Sequence, residues 1–158
     1  MKKNEKLVNL LIKDKLKISF AESCTGGMLA SSIVDVPNAS YVLDESYVTY
    51  ANKAKIDLLK VKEDDVKQYG VVSEVVALEM AKGLKERTKA DINVSTSGIA
   101  GPLGGSKEKP VGTVCIGIII NDNEYVFTQH FKNYGRNYIR RSTVDFIFDF
   151  LINHLGNY

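Results

Sequence analysis

Apolar and polar positions run along this chain in blocks whose period changes, and the changes mark the elements. In residues 5–14, Leu7, Val8, Leu11 and Ile12 recur at helical spacing with Lys and Asn opposite, which predicts an amphipathic opening helix. Residues 17–21 are short and β-compatible, and the run at 28–34 suits a buried helix. A strand–turn–helix unit therefore brackets Ala21-Glu22-Ser23-Cys24-Thr25-Gly26-Gly27. Pro37-Asn38 marks a break, the aromatic and β-branched stretch 46–51 predicts a strand, and Asn52-Lys53-Ala54-Lys55 opens a short helix. A further helix covers 63–68 and ends at Tyr69-Gly70, with the glycine where a left-handed cap is needed. Ser73 is placed as N-cap of the next helix, whose stripe Val76, Met80 and Leu84 runs on towards Thr88.

Residues 91–96 alternate and read as a strand, and they empty into a glycine-rich loop, 97–105. The apolar runs 111–120 and 124–131 flank Asn121-Asp122-Asn123, a hairpin signal. A long amphipathic helix closes the chain over 136–155, with Ile139, Thr143, Phe146, Ile147, Phe150 and Leu151 on its buried side. Helices alternating with strands, then a hairpin and a helix, predict one α/β layered domain over 1–158 with a mixed sheet.

Composition narrows the function. With 158 residues, 44% of them hydrophobic, the chain can bury a core without disulfide staples. Twenty-one Lys plus Arg against 19 Asp plus Glu leave a charge of +2, too even for a nucleic-acid footprint, so small molecules or proteins are the expected partners. Cys24 and Cys115 lie outside any CxxC or Cys/His spacing, which supports neither a metal site nor a disulfide and makes a reducing cytosol the simplest home. The N-terminal residues alternate Lys with apolar side chains, unlike a signal peptide or a membrane span.

Ligands in layered α/β domains gather where strands empty at their carboxyl ends, and three loops here qualify. The first pairs two potential nucleophiles, Ser23 and Cys24, with Thr25-Gly26-Gly27 at a helix start, where N–H groups and a hydroxyl can meet an anion. A plain capped turn is the simpler alternative, and the string is neither the GxSxG elbow nor a phosphate loop. The second loop brings Tyr50 and Lys55. A lysine shielded from water can accept a serine proton and a tyrosine hydroxyl can relay it, although lysines in such a string ordinarily form a solvated helix face. The third, from Ser97 to Gly105, can wrap backbone amides around a ligand or be a mobile connection. Ser106-Lys107-Glu108-Lys109 satisfies SxxK literally, but Pro110 argues against the helix that motif needs. His130 and His154, the only histidines, provide poorly for a Ser-His triad or a metal site. Arg136 and Arg140, one helical turn apart, can hold a phosphate or simply be a solvated basic turn.

Four blocks in order resemble the CinA C-terminal domain family, whose stand-alone members include nicotinamide-nucleotide amidohydrolases of the PncC type. They are 21–27 (AESCTGG), 48–55 (VTYANKAK), 70–77 (GVVSEVVA), and SGIAGP at 97–102 continuing through Gly104-Gly105 to KPVGTV at 109–114. The resemblance implies a three-layer α/β/α sandwich with a mixed sheet, hydrolysis of the carboxamide of nicotinamide mononucleotide, and no metal or organic cofactor. It implies Ser23 as nucleophile, Lys55 as its general base, and Tyr50 and Ser40 as supporting members of the proton network. Substrate contacts fall to Glu22, Cys24 (through its backbone), Thr25, Gly26, Gly27, Ser97, Gly98, Ile99, Ala100, Gly101 and Arg136. A cytoplasmic homo-oligomer is implied, and the expected form is the free-standing one, without the larger domain that precedes many relatives. Two departures stand out: Glu45-Ser46 replaces small glycines, with an expected effect on the pocket or the base, and Ser97 replaces a threonine while keeping the hydroxyl. The rival readings are a catalytically silent domain that binds a nucleotide or a protein through these loops, and an amidohydrolase for another small amide.

Overall fold

The computed structural model describes residues 1–157, and Tyr158 lies outside the described residues. Its strands are β1 (Ile18–Glu22), β2 (Tyr47–Val48), β3 (Ile92–Gly98), β4 (Thr113–Ile120) and β5 (Asn123–His130), in one sheet ordered β2-β1-β3-β4-β5. β1 runs parallel to both β2 and β3, with Ala21 opposite Tyr47 and Phe20 opposite Val94. β4 is antiparallel to β3 and to β5, so the sheet is mixed.

Helices cover both faces. Helices α1 (Lys3–Asp14), α2 (Met28–Val34) and α6 (Arg136–Gly156) close the larger core, in which Leu7, Leu11, Leu29, Ile33, Ile147 and Leu151 meet Phe20, Val94 and Ile116 of the sheet. Helices α3 (Asn52–Leu59), α4 (Glu63–Tyr69) and α5 (Glu74–Thr88) form the other layer, where Leu59, Val76, Met80 and Leu84 pack with Ala21. The result is the expected α/β/α sandwich. Two glycines set how closely its layers approach: a Cβ on Gly117 of β4 would lie 2.6 Å from Ala77 O of α5, and one on Gly83 of α5 would lie 1.8 Å from Leu59 O of α3.

Two sequence expectations change, and the strand expected at 91–96 is buried more fully than its alternation requires. β3 alternates in sequence yet is buried on both faces: Ile92 and Val94 enter the larger core, while Asn93, Ser95 and Ser97 turn to the α5 side. There Thr88 Oγ1 donates to Asn93 Oδ1 at 3.0 Å, Ser95 donates to Ala77 O, and Ser97 Oγ donates to Val71 O at 2.7 Å. A sheet covered on both sides accepts polar positions when they are bonded internally. β2, expected over 46–51, is only Tyr47–Val48. Thr49 N still donates to Glu22 O at 2.9 Å, after which the Thr49 and Tyr50 carbonyls turn to a side chain instead of a neighbouring strand. Gly70 has φ 79 but ψ 162, a positive-φ extended residue and not the left-handed cap expected. Ser73 does cap α5, its hydroxyl accepting from Val76 N at 3.3 Å.

Candidate active site

Because β1, β2 and β3 are mutually parallel, their carboxyl ends share one edge of the sheet, and the three loops singled out in the sequence leave from it. They meet the first turn of α6 around a cavity of about 240 Å³, lined among others by Ser23, Lys55, Tyr50, Ser97, Gly101 and Arg136. A larger open hollow of about 490 Å³ lies between α5 and the β4–β5 hairpin. It holds no nucleophile, and Lys82 and Lys85 there are paired with Glu124 and Asp122 at 3.4 and 2.9 Å. Chemistry, not size, selects the smaller cavity.

Lys55 is the residue that decides the question. It sits in α3 and is only 1% exposed, because the helix carries it inward beneath the loop after β2. Its Nζ donates to Ser23 Oγ at 2.9 Å, to Thr49 O at 2.8 Å and to Tyr50 O at 2.9 Å. The charged amine has three N–H bonds and fills all three contacts. The neutral amine has two, and since carbonyls can only accept, its lone pair falls on Ser23. Burial pulls Lys55 down from 10.5 to about 8, against a smaller upward pull from Cys24. The neutral form is therefore within reach near neutral pH, and it faces a hydroxyl. Cys24 also lines the cavity, but burial pushes its thiol up to about 11, and its side-chain hydrogen bond is to Thr96, which is not a base. Of the two adjacent candidates, it is Ser23 whose Oγ receives the hydrogen bond of the buried lysine.

The turn that carries Ser23 is held from several sides. Ser23 N donates to the carbonyl and the hydroxyl of Thr96, each at 3.2 Å, and Thr25 Oγ1 lies 2.9 Å from Thr96 Oγ1. Gly26 and Gly27 have φ 55 and 97, conformations that a side chain disfavours. Glu22, expected to touch substrate, is fully buried and instead accepts from Leu29 N at 2.8 Å and Ala30 N at 3.1 Å. It caps α2 from the preceding strand, where the negative charge suits the helix N-terminus. Thr25, Gly26 and Gly27 likewise shape the turn and do not line the cavity.

Other expected residues divide in the same way. Ser97, Gly98, Ile99, Ala100 and Gly101 all line the cavity. Ile99 also closes the loop at its root, with Ile99 N donating to Thr113 O at 2.9 Å and Gly112 N to Ile99 O at 2.8 Å. Tyr50 contributes its carbonyl to Lys55, whereas the residue is 59% exposed and its hydroxyl accepts from Arg136 at 2.9 Å. The phenol thus stands at the rim with Arg136, and only the Tyr50 carbonyl meets Lys55. Arg136 also donates to Gly101 O at 2.7 Å, leaving three of its five N–H bonds for a ligand. Ser40 is not brought to the site: it is exposed in a 3₁₀ turn, Ala39–Tyr41, and Val42 just beyond accepts from Ile18 N at the opposite end of β1. Glu45 and Ser46 bond to Ser19 Oγ and Phe20 N and do not line the cavity, so that departure does not narrow it. The SxxK string at 106–109 is exposed loop without a helix.

Residues 1–155 match the CinA C-terminal domain. The chain is 57% identical over 114 residues to a CinA-like protein of Chlorobaculum tepidum, covering 72% of this chain and 27% of that protein. To a CinA-like protein of Petrotoga mobilis it is 46% identical over 142 residues, covering 90% and 35%. The chain belongs to the CinA C-terminal domain family. It spans about a quarter to a third of the length of these curated CinA-like relatives. Among solved structures it resembles a competence/damage-inducible protein of Agrobacterium tumefaciens, with 38% identity and a TM-score of 0.90 over 99% of this chain and 97% of that one. A CinA superfamily protein of Klebsiella pneumoniae gives 28% identity and a TM-score of 0.93, with the same coverage. Within this CinA domain, sequence reasoning passed over Asn52, Val71, Val72, Leu103 and Gly104 as lining residues. Val71 and Val72 lay in one of the matching blocks. It also missed the backbone role of Arg140, whose partners are 115 and 116 residues away.

Proposed function

We propose that this CinA domain hydrolyses the carboxamide of nicotinamide mononucleotide to nicotinic acid mononucleotide and ammonia, with Ser23 as nucleophile and Lys55 as its base. The observation that carries the reading is the 2.9 Å contact between Ser23 Oγ and a buried lysine whose two other contacts are carbonyls. Neutral Lys55 takes the Ser23 proton as Oγ bonds to the carboxamide carbon and the carbonyl electrons move onto oxygen. Ala100 and Gly101 line the cavity, and their backbone N–H groups, which donate to no described residue, are the candidate oxyanion donors. Collapse of the intermediate breaks the C–N bond, the Lys55 ammonium protonates the departing nitrogen, and ammonia leaves. Lys55 next deprotonates a water as its oxygen bonds to the acyl carbon; the Oγ–acyl bond then breaks, the Lys55 ammonium returns its proton to Ser23 Oγ, and the product acid leaves as the carboxylate after losing its proton to water.

The cavity, at about 240 Å³, suits a ring with its carboxamide better than a whole nucleotide. The ribose phosphate is then placed towards the rim, where Arg136 keeps three unused N–H bonds. Such a reaction would return the pyridine ring, as the acid, to nucleotide salvage.

The test is release of ammonia and nicotinic acid mononucleotide by the purified chain and by Ser23→Ala, Lys55→Ala and Cys24→Ala. Ser23→Ala and Lys55→Ala are expected to lose activity by at least about a thousandfold, the order for a nucleophile or base acting as a unit. Cys24→Ala is expected to keep most of it. An inactive wild type that the nucleotide nonetheless stabilises against heat would overturn hydrolysis in favour of binding alone. An active Ser23→Ala protein beside a dead Cys24→Ala protein would reverse the nucleophile.

A further inference from the structure

We infer that Arg140 is a positioning residue for the nucleophile: its guanidinium, fixed on α6, sets the Cys24–Thr25 and Thr25–Gly26 peptide planes just beyond Ser23 and so braces the turn that holds Ser23 Oγ in place. The inference rests on the Ser23–Lys55 reading above and adds a residue that neither lines the cavity nor bonds to either partner.

Arg140 Nε donates to Cys24 O at 3.0 Å, and one terminal nitrogen donates to Thr25 O at 3.0 Å. The other terminal nitrogen is held by Asn137 Oδ1 at 3.0 Å, so the fork is oriented from within its own helix. Two consecutive carbonyls on one rigid fork fix two consecutive planar peptides, and with them the dihedrals between. This stretch needs outside support. It contains Gly26 and Gly27 at positive φ, and its internal bonds are Gly26 N to Ser23 O and Met28 N to Thr25 O, each 3.0 Å. Thr96 grips the turn from the β3 side; Arg140 grips it from the α6 side. The two are in close register, since a Cβ on Gly26 would come 3.3 Å from the guanidinium.

The neighbouring Arg136 separates the two functions of this helical turn. It reaches Gly101 O and the Tyr50 hydroxyl inside the cavity's lining, where a ligand can touch it. Arg140 is held away from ligand, so its loss should lower the rate of attack by Ser23 while leaving affinity for the nucleotide near that of wild type. Lysine keeps the charge but presents no planar fork, so it separates geometry from electrostatics.

The experiment follows Ser23 directly with phenylmethanesulfonyl fluoride, independently of which amide is the substrate. The Oγ–S bond forms, fluoride leaves, and the serine proton passes to Lys55; the rate is read by intact-mass spectrometry across pH. Wild type is expected to be labelled at Ser23, Arg140→Ala about a hundredfold more slowly and Arg140→Lys about tenfold more slowly, the scale of a misplacement of about 1 Å. Added guanidinium ion at non-denaturing concentration should restore much of the Arg140→Ala rate, with the pH midpoint unchanged throughout. Arg140→Lys at the wild-type rate, Arg140→Ala that guanidinium does not rescue, or a shifted midpoint would each overturn the positioning role. Should Arg140→Ala fail to fold, as judged by circular dichroism, Arg140→Lys alone decides by its rate and midpoint. A wild type that is not labelled at Ser23 defeats the Ser23–Lys55 reading itself, a result distinguishable from any of these.

Discussion

Raising the pH through the titration of Lys55 is expected to change activity and stability in linked ways, because one buried amine governs both. In the folded chain Lys55 lies at about 8, against 10.5 for an unperturbed lysine, with burial as the main cause. At pH 7 roughly one-tenth of the molecules then hold it neutral, so kcat/KM should climb about tenfold per pH unit below 8 and level off above it. The stability effect has a definite sign. Between pH 8 and 10.5 the unfolded chain binds the proton that the folded chain has released, so stability rises with pH across this window. Below the window both states are protonated and the full penalty of burying the charge is present. A gap from 10.5 to about 8, at about 1.36 kcal/mol per unit, amounts to about 3 kcal/mol. Lys55→Met supplies the reference, since it titrates nothing at this position while other groups remain the same. Urea unfolding of both proteins at several pH values through the window should show the wild type gaining about 3 kcal/mol on the variant, beginning near the pH at which kcat/KM levels off. A stability difference that stays flat, or an activity midpoint far from the onset of the slope, would refute Lys55 as the titrating base.

Three further outcomes follow from the packing around the site. Gly83→Ala places a Cβ 1.8 Å from Leu59 O, one turn along α3 from Lys55, and reaching a tolerable 3.0 Å moves that helix by about 1.2 Å. The expected result is a loss of about a hundredfold in turnover and about 1–3 kcal/mol in urea unfolding, and unchanged turnover would contradict it. Tyr50→Phe keeps the carbonyl on Lys55 but removes the hydroxyl that accepts from Arg136, so KM should rise with kcat nearly retained; steady-state kinetics decide. Glu22→Ala strips α2 of the carboxylate that accepts from Leu29 and Ala30, at about 1–3 kcal/mol, and calorimetry should show Tm falling by about 2–4 °C for each kcal/mol.

The periodic elements were legible because burial enforces period: α2 occupies Met28–Val34 as predicted, and the 121–123 turn lies where the hairpin reverses. β2 was overlong in the sequence reading because aromatic and β-branched residues signal a strand whatever their carbonyls bond to. Here the Thr49 and Tyr50 carbonyls serve an amine. The same substitution of backbone for side chain misplaced Tyr50, whose type suggested a phenolic relay. Ser40 failed for a different reason. Sequence order gives no measure of which end of β1 a connection returns to, and this one returns to Ile18. Glu22 looked chemical beside Ser23 because its real partners, two helix N–H groups, are backbone atoms. Lys55 itself reads as a surface residue until the resemblance singles it out, and only the fold shows why it is buried.

The hydrogen bonds that join Ile99 to Thr113 and Gly112 close the glycine-rich loop at its neck, while Leu103 near its tip is 85% exposed. Ala100, Gly101, Leu103 and Gly104 shape the cavity; Ala100 and Gly101 are buried while Leu103 and Gly104 are exposed, and none of the four joins the apolar clusters that hold the sandwich together. The segment is therefore a natural cassette for engineering. Its tip can be lengthened, shortened or exchanged between paired anchor points to reshape the cavity for a different ligand, while Ser23, Lys55 and the helices that hold them stay untouched.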